Sequence, residues 1–254
     1  MMMLKKEFRE LFTSYKMLFV PIIFTILMIT QPITLKMLPD LLSKSANLPE
    51  GSTFYIPEPN AGEALASALS KFDLLGVFIL IMIVMGTIAG ERASGVTAMI
   101  MVKPISRMSY YASKICAYAC LTLFSLIVAV LASVYYVDIQ FGHVAWGDVL
   151  KGTLLYYPNL LLIVVSTICA SAFFKRSVTA GGVSLLINLI LFTVPSFYED
   201  TLGKFAPKGV TSAAEEMIHR GTYSDQALTS FLGVSVLIGF FFLIGWFLFR
   251  KQEL

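Results

Sequence analysis

Six stretches of this sequence contain no Asp, Glu, Lys or Arg, and they fall near residues 17–35, 74–89, 115–137, 152–174, 178–198 and 226–249. A helix rises 1.5 Å per residue and the bilayer hydrocarbon is about 30 Å thick, so a span needs roughly 20 mostly apolar residues. In hydrocarbon no water reaches the backbone N–H and C=O groups, which leaves the α-helix as the form that satisfies them within each run. The expectation is an all-α membrane protein of six transmembrane helices, with residues 1–254 forming one domain. Composition agrees: 57% of the chain is hydrophobic and 14% is charged, against about a quarter charged in soluble domains.

The charges set the orientation. Six spans put both termini on one side, and that side carries Lys5, Lys6, Arg9, Lys16, Arg92, Lys103, Arg107, Lys114, Lys175, Arg176, Arg250 and Lys251 against Glu7, Glu10, Glu91 and Glu253. Basic residues resist translocation, so both termini are expected in the cytoplasm of a multi-pass cell-membrane protein. The first apolar run exceeds a signal-peptide core and no small-x-small site follows it closely, so it reads as a retained span. A net charge of +3 is too small to point to nucleic acid.

Residues 1–16 place Leu4, Phe8, Leu11, Phe12 and Tyr15 on one side and Lys5, Lys6, Arg9 and Glu10 on the other. That period predicts an amphipathic interfacial helix, or else a basic flank that only enforces orientation. In the outer loop 36–71, Pro39, Pro49, Pro57 and Pro59 predict an irregular first part, whereas Asn60 and Glu63 form a capping-box pattern for a short surface helix. Ser212 and Glu215 repeat the device for a helix over 213–220 that Gly221 would end. Cys116, Cys120 and Cys169 lie within spans, an odd number that argues against a disulfide framework and for small packing residues. Pro21, Pro32, Pro158 and Pro195 are expected to kink their helices.

The octet GERASGVT, Gly90–Thr97, has the glycine and threonine spacing of a phosphate-binding loop, but Val96 stands in the lysine slot. It also follows a transmembrane run instead of a strand, so nucleotide binding is excluded on context. It opens the largest inner loop, 90–114, whose apolar run 98–102 is too short to cross and must be covered by the bundle or by a partner. The stretch GERASGVTAMIMVKPISRMSYYASK resembles the signature loop of ABC-2 type transporter permeases, through Glu91, Gly95, Thr97, Pro104, Ser106, Arg107 and Lys114. Val96 separates a glycine and threonine that are adjacent in the family, and Arg92 follows the glutamate where a second acidic residue often stands.

The resemblance implies that 90–114 acts as a coupling loop, with Glu91, Gly95, Thr97, Met99, Pro104, Ser106 and Arg107 engaging a separate ATP-binding subunit. It implies ATP and Mg on that partner and no cofactor here. It also implies a second permease subunit, identical or similar, and export more often than import. The residues themselves supply no catalytic site. The spans lack ionisable groups for ion coupling, and the motif around Gly182-Val183-Ser184-Leu185 lacks the glycine and buried histidine of an intramembrane protease. Gln31, Asn159 and Asn188 are the largest polar side chains at membrane depth and either line a path or bond helix to helix. Ser235 and Gly239 form a small-xxx-small pair suited to close helix packing. The reading from another class is a non-transporting membrane regulator that sequesters a cytoplasmic protein through the 90–114 loop.

Overall fold

The computed structural model describes residues 2–45, 60–102, 105–197, 203–223 and 226–251, and the described residues are helical with no strand. Five stretches are long and apolar enough to cross a membrane: Lys16–Pro39, Ala61–Ala93, Arg107–Phe141, Trp146–Phe173 and Ala227–Lys251. The run expected over 178–198 forms a 17-residue helix, Ser177–Thr193, continued by a 3-10 turn, Val194–Phe197, that contains Pro195. Together they reach about 33 Å, close to the hydrocarbon thickness.

In chain order, α1 (Met2–Thr13) precedes α2 (Lys16–Ser45). The second crossing is composite: α3 (Ala61–Lys71), a π-helical turn (Phe72–Gly76), α4 (Val77–Val84) and α5 (Ala89–Ala93). The short α6 (Val96–Met101) follows, then α7 (Arg107–Phe141), α8 (Trp146–Phe173) and α9 (Ser177–Thr193). A 3-10 turn (Gly203–Phe205), α10 (Pro207–Arg220) and α11 (Ala227–Lys251) complete the chain.

Helix α8 is the hub. It packs against α4, α7, α9, α10 and α11, and 78% of its most apolar window is buried, against 28% for α2 and 11% for α11. The last two present apolar side chains outward, as lipid-facing helices do. Gly245 lets α11 close on α7, because a Cβ there would collide with the Tyr111 hydroxyl. At one end of the bundle α1, α5, the start of α7 and the end of α11 meet; at the other, α3 packs on α10.

Several boundaries differ from the expectation, each for a local reason. Helix α2 runs to Ser45 through Pro39 where an irregular loop was expected, since one proline removes one backbone bond and its flanking leucines favour helix. The Asn60 capping box forms, with Glu63 N–H donating to Asn60 Oδ1 at 2.8 Å and Asn60 N–H to Glu63 Oε2 at 3.1 Å. The helix it opens is no isolated surface element, because it continues through the π turn into the second crossing. Helix α10 starts at Pro207, five residues before the expected cap at Ser212, because proline at the first helical position is preorganised. Gly221 does end it, at φ +68. Cys169 is buried, but Cys116 and Cys120 face outward, so they are not packing residues within this protomer. Ser235 and Gly239 also face outward.

Candidate functional site

The charged end of the bundle is organised around Glu91. Its Oε1 lies 2.7 Å from Lys6 Nζ and 2.9 Å from Lys114 Nζ, and its Oε2 accepts a short hydrogen bond from the Tyr110 hydroxyl. Lys114 also meets Glu7 at 3.1 Å and lies over the Tyr110 ring at 5.0 Å. Lys6 bridges further, to Glu7 at 3.1 Å and Glu10 at 2.8 Å. Lys114 and Glu7 are buried, with side chains only 1% and 3% exposed. Charges so far from water persist only when paired and hydrogen-bonded. The partners come from three elements, so the cluster fastens α1, α5 and α7 to one another.

Burial alone would lower the Lys6 pKa, but hydrogen bonds to Glu10 and Glu91 outweigh it and hold the ammonium above the usual lysine value. The carboxylates of Glu7, Glu10 and Glu91 gather within 4.8 Å, a spacing that would suit a cation. The ammonium groups of Lys6 and Lys114 already sit among them and offset two of the three charges, which makes the group an ion-pair cluster.

The loop that leaves this anchor is short and shaped by three of the expected residues. Gly95 has φ +75 with open space around its α-carbon, the left-handed turn that lets α6 fold back after α5. Thr97 is 1% exposed and its hydroxyl lies 3.5 Å from the Tyr110 hydroxyl, which ties α6 to the Glu91 cluster. Met99, 74% exposed, and Val102, 87% exposed, form an apolar tip. Ser106 caps α7, its hydroxyl accepting from Ser109 N–H at 3.1 Å. Arg107 donates to the Arg250 carbonyl at 2.6 Å, which binds the loop's far end to the last turn of α11. Residues 107–114 belong to α7 and so are not loop, because Ser106 supplies the start signal. Pro104 lies outside the described residues.

The second crossing is interrupted just before the anchor. Residues 85–88 form turns, and Ser171 of α8 fills the gap: its hydroxyl donates to Met85 O at 2.7 Å and accepts from Ile88 N–H at 3.1 Å and Ala89 N–H at 3.0 Å. A hydroxyl has thus been inserted into the helical ladder, satisfying backbone groups that hydrocarbon would leave stranded. Arg92 donates to Ala172 O at 2.8 Å, beside Ser171. The inner stub α5 is therefore pinned to α8 as well as being joined to α4.

The polar residues at membrane depth have separate places. Asn159 is buried and its amide donates to Pro207 O at 2.8 Å and Thr211 Oγ1 at 3.0 Å. Thr211 and Tyr156 in turn donate to Asp73 in the π turn, at 3.1 and 3.0 Å. Asn188 is buried and donates to Ser166 Oγ at 2.9 Å and Ser184 O at 2.8 Å. Both amides therefore bond helix to helix within the protomer, while Gln31 is half-buried on α2. Where α3 packs on α10, burial raises the Glu215 pKa against the hydrogen bond it accepts from Ser70.

Of the expected loop residues, the structure gathers Glu91 and Thr97 at the anchor and leaves Met99 at the tip. Sequence reading did not assign Lys6, Glu7, Tyr110 or Ser171 to the site. Glu7 carried a usable signal: it falls between Met3 and Leu11 at i, i+4, i+8, a carboxylate on the buried stripe that needs a cation opposite. Ser171 carried none, because its role depends on the break in a different helix.

The helical bundle and its clamped, apolar-tipped loop define a multi-pass membrane protein with an exposed apolar tip at one end. A family model described as ABC-2 family transporter protein matches residues 1–254, and the chain belongs to that family. It is also 28% identical over 225 residues, covering 89% of this chain and 87% of the relative, to an uncharacterized transmembrane protein, YxlG, of Bacillus subtilis (strain 168).

Proposed function

We propose that this chain is the permease subunit of an ATP-driven transporter, an exporter, with residues 90–102 as the element through which a separate ATP-binding subunit moves the bundle. The observation that carries the reading is the Glu91 cluster. A loop with an exposed Met99 and Val102 tip is joined by buried ion pairs to α1 and α7, so displacement of the tip must move those helices together. Membership of the ABC-2 family supports it, since such membrane proteins generally work with ATP-binding subunits. We place this end of the bundle in the cytoplasm because its lysines and arginines resist translocation. ATP and Mg belong to the partner, catalysis is not assigned to this chain, and a second permease subunit completes the translocation path.

Purification of the full chain from its native membrane in mild detergent tests the proposal. The expected result is an ATP hydrolase in equal stoichiometry, lost in Met99→Glu. Recovery of a single protein without ATPase activity would favour a sequestering scaffold and reject transport.

A further inference from the structure

Helix α1 has three faces, and the Glu91 cluster accounts for only one. Met3, Glu7 and Leu11 turn inward and are buried. Leu4, Phe8 and Phe12 form a second stripe, continued by Tyr15 just beyond the helix; Leu4 rests partly against the bundle, while Phe12 is 61% and Tyr15 65% exposed. Lys5 and Arg9 stand next to that stripe, one turn apart and exposed, with no ion pair among the described residues. The acids of the same helix are held elsewhere: Glu7 by Lys114 and Lys6, Glu10 by Lys6. Lys5 and Arg9 thus stand beside an apolar strip, while the half-exposed Glu10 is already paired with Lys6.

The turn into the first crossing fixes where that side faces. Thr13 ends α1 and Lys16 begins α2, and Tyr15 between them has φ +57, the one positive φ at a non-glycine among the described residues. Lys16 at the start of α2 is held at the bundle by Tyr118 Oη at 2.7 Å. The left-handed residue interrupts the helix where the membrane-crossing segment begins, so α1 is a separate helix beside the start of the first crossing. A helix at the bilayer surface puts apolar side chains at the acyl boundary and basic ones among headgroups.

We propose that the Lys5–Arg9 edge of α1 binds anionic phospholipid headgroups of the adjoining leaflet, and that this contact sets how firmly the Glu91 cluster holds the loop. Charge complementarity selects the occupant: two cations with no ion pair among the described residues stand beside the exposed Phe12 and Tyr15 rings, which fits a lipid with a negative head. The link inward is covalent and short, since Lys6 and Glu7 lie between Lys5 and Arg9 on the same two turns. Lipid contact is independent of the transport reading, while its effect on coupling rests on that reading.

Hydrogen exchange of the full chain in nanodiscs tests both parts without any partner subunit. Two lipid compositions are compared: phosphatidylcholine alone, and phosphatidylcholine mixed with phosphatidylglycerol. The mixture is expected to slow exchange in residues 2–13 by up to about 30-fold for two basic side chains at the headgroups. Residues 88–102 are expected to slow as well. The Lys5→Gln/Arg9→Gln variant should match wild type in phosphatidylcholine and lose the response to phosphatidylglycerol. Identical exchange in the two membranes, or a response that survives in the variant, would overturn the lipid site. Protection confined to 2–13 would overturn its control of the loop. If wild type shows no lipid response and the variant fails to retain an ATP hydrolase, the basic edge belongs to a protein interface and the proposal fails.

Discussion

Replacing Lys114 with methionine removes the cation that two buried carboxylates share. Lys114 contacts Glu7 at 3.1 Å and Glu91 at 2.9 Å with only 1% of its side chain exposed. After the change both acids depend on Lys6, which is 35% exposed and already engaged with Glu10. Breaking one side of a buried pair costs about 3–5 kcal/mol, and the surviving Lys6 contacts place the expected loss near the lower end. Glu91→Gln acts in the opposite sense. It leaves the two lysines facing Glu7 and Glu10, and the amide oxygen can still accept, so the expected loss is about 1–2 kcal/mol. The double variant should then lose less than the two singles added, with a coupling energy of about 1–3 kcal/mol. Reversible unfolding of the full chain in mixed micelles, titrated with denaturing detergent and followed by tryptophan fluorescence, measures all three. A loss under about 1 kcal/mol for Lys114→Met, or effects that add within about 0.5 kcal/mol, would refute the claim that these charges form one mechanical unit.

Ser171→Ala should expose Ile88 and Ala89 N–H to faster exchange and cost about 1–3 kcal/mol, because two buried donors lose their acceptor; Ser171→Thr should retain most of the protection. Gly245→Ala should destabilise by about 1–3 kcal/mol through overpacking against Tyr111, with partial recovery on adding Tyr111→Phe, read by thermal melting. Glu215 has its folded pKa raised, so its neutral form favours the fold and ionisation opposes it. The packing of α3 on α10 should weaken as pH rises through that folded pKa, a trend that Glu215→Gln should abolish in melting curves taken across mildly acid pH. Lys6 is raised as a base, so its contribution is complete below the unfolded lysine pKa and is lost only as pH climbs through the higher folded value; α1 should stay attached through moderately alkaline conditions, as exchange in 2–13 would report.

The bundle was legible because hydrocarbon admits few solutions: uncharged runs of sufficient length had to become helices. The capping box at Asn60 and the glycine stop at Gly221 were legible for a similar reason, since their chemistry is local. Helix α2 beyond Lys36 was misread because proline marks a break only when its neighbours do not favour continuation. The anchor was half legible. Glu91 and Thr97 stood out through the family resemblance, but Lys6, Glu7 and Ser171 act across 80 or more residues of chain, and no period or spacing in one segment encodes such a meeting. Asn159 and Asn188 stood out as polar, yet only the packed helices reveal that their amide N–H groups donate to Pro207, Thr211, Ser166 and Ser184.

The grip of Arg107 on the Arg250 carbonyl has a practical side. It draws the last turn of α11 alongside the foot of the loop that carries Met99, so a fluorophore attached at Lys251 would sit within view of any molecule arriving there. A bulky purification handle in the same spot would stand in the doorway.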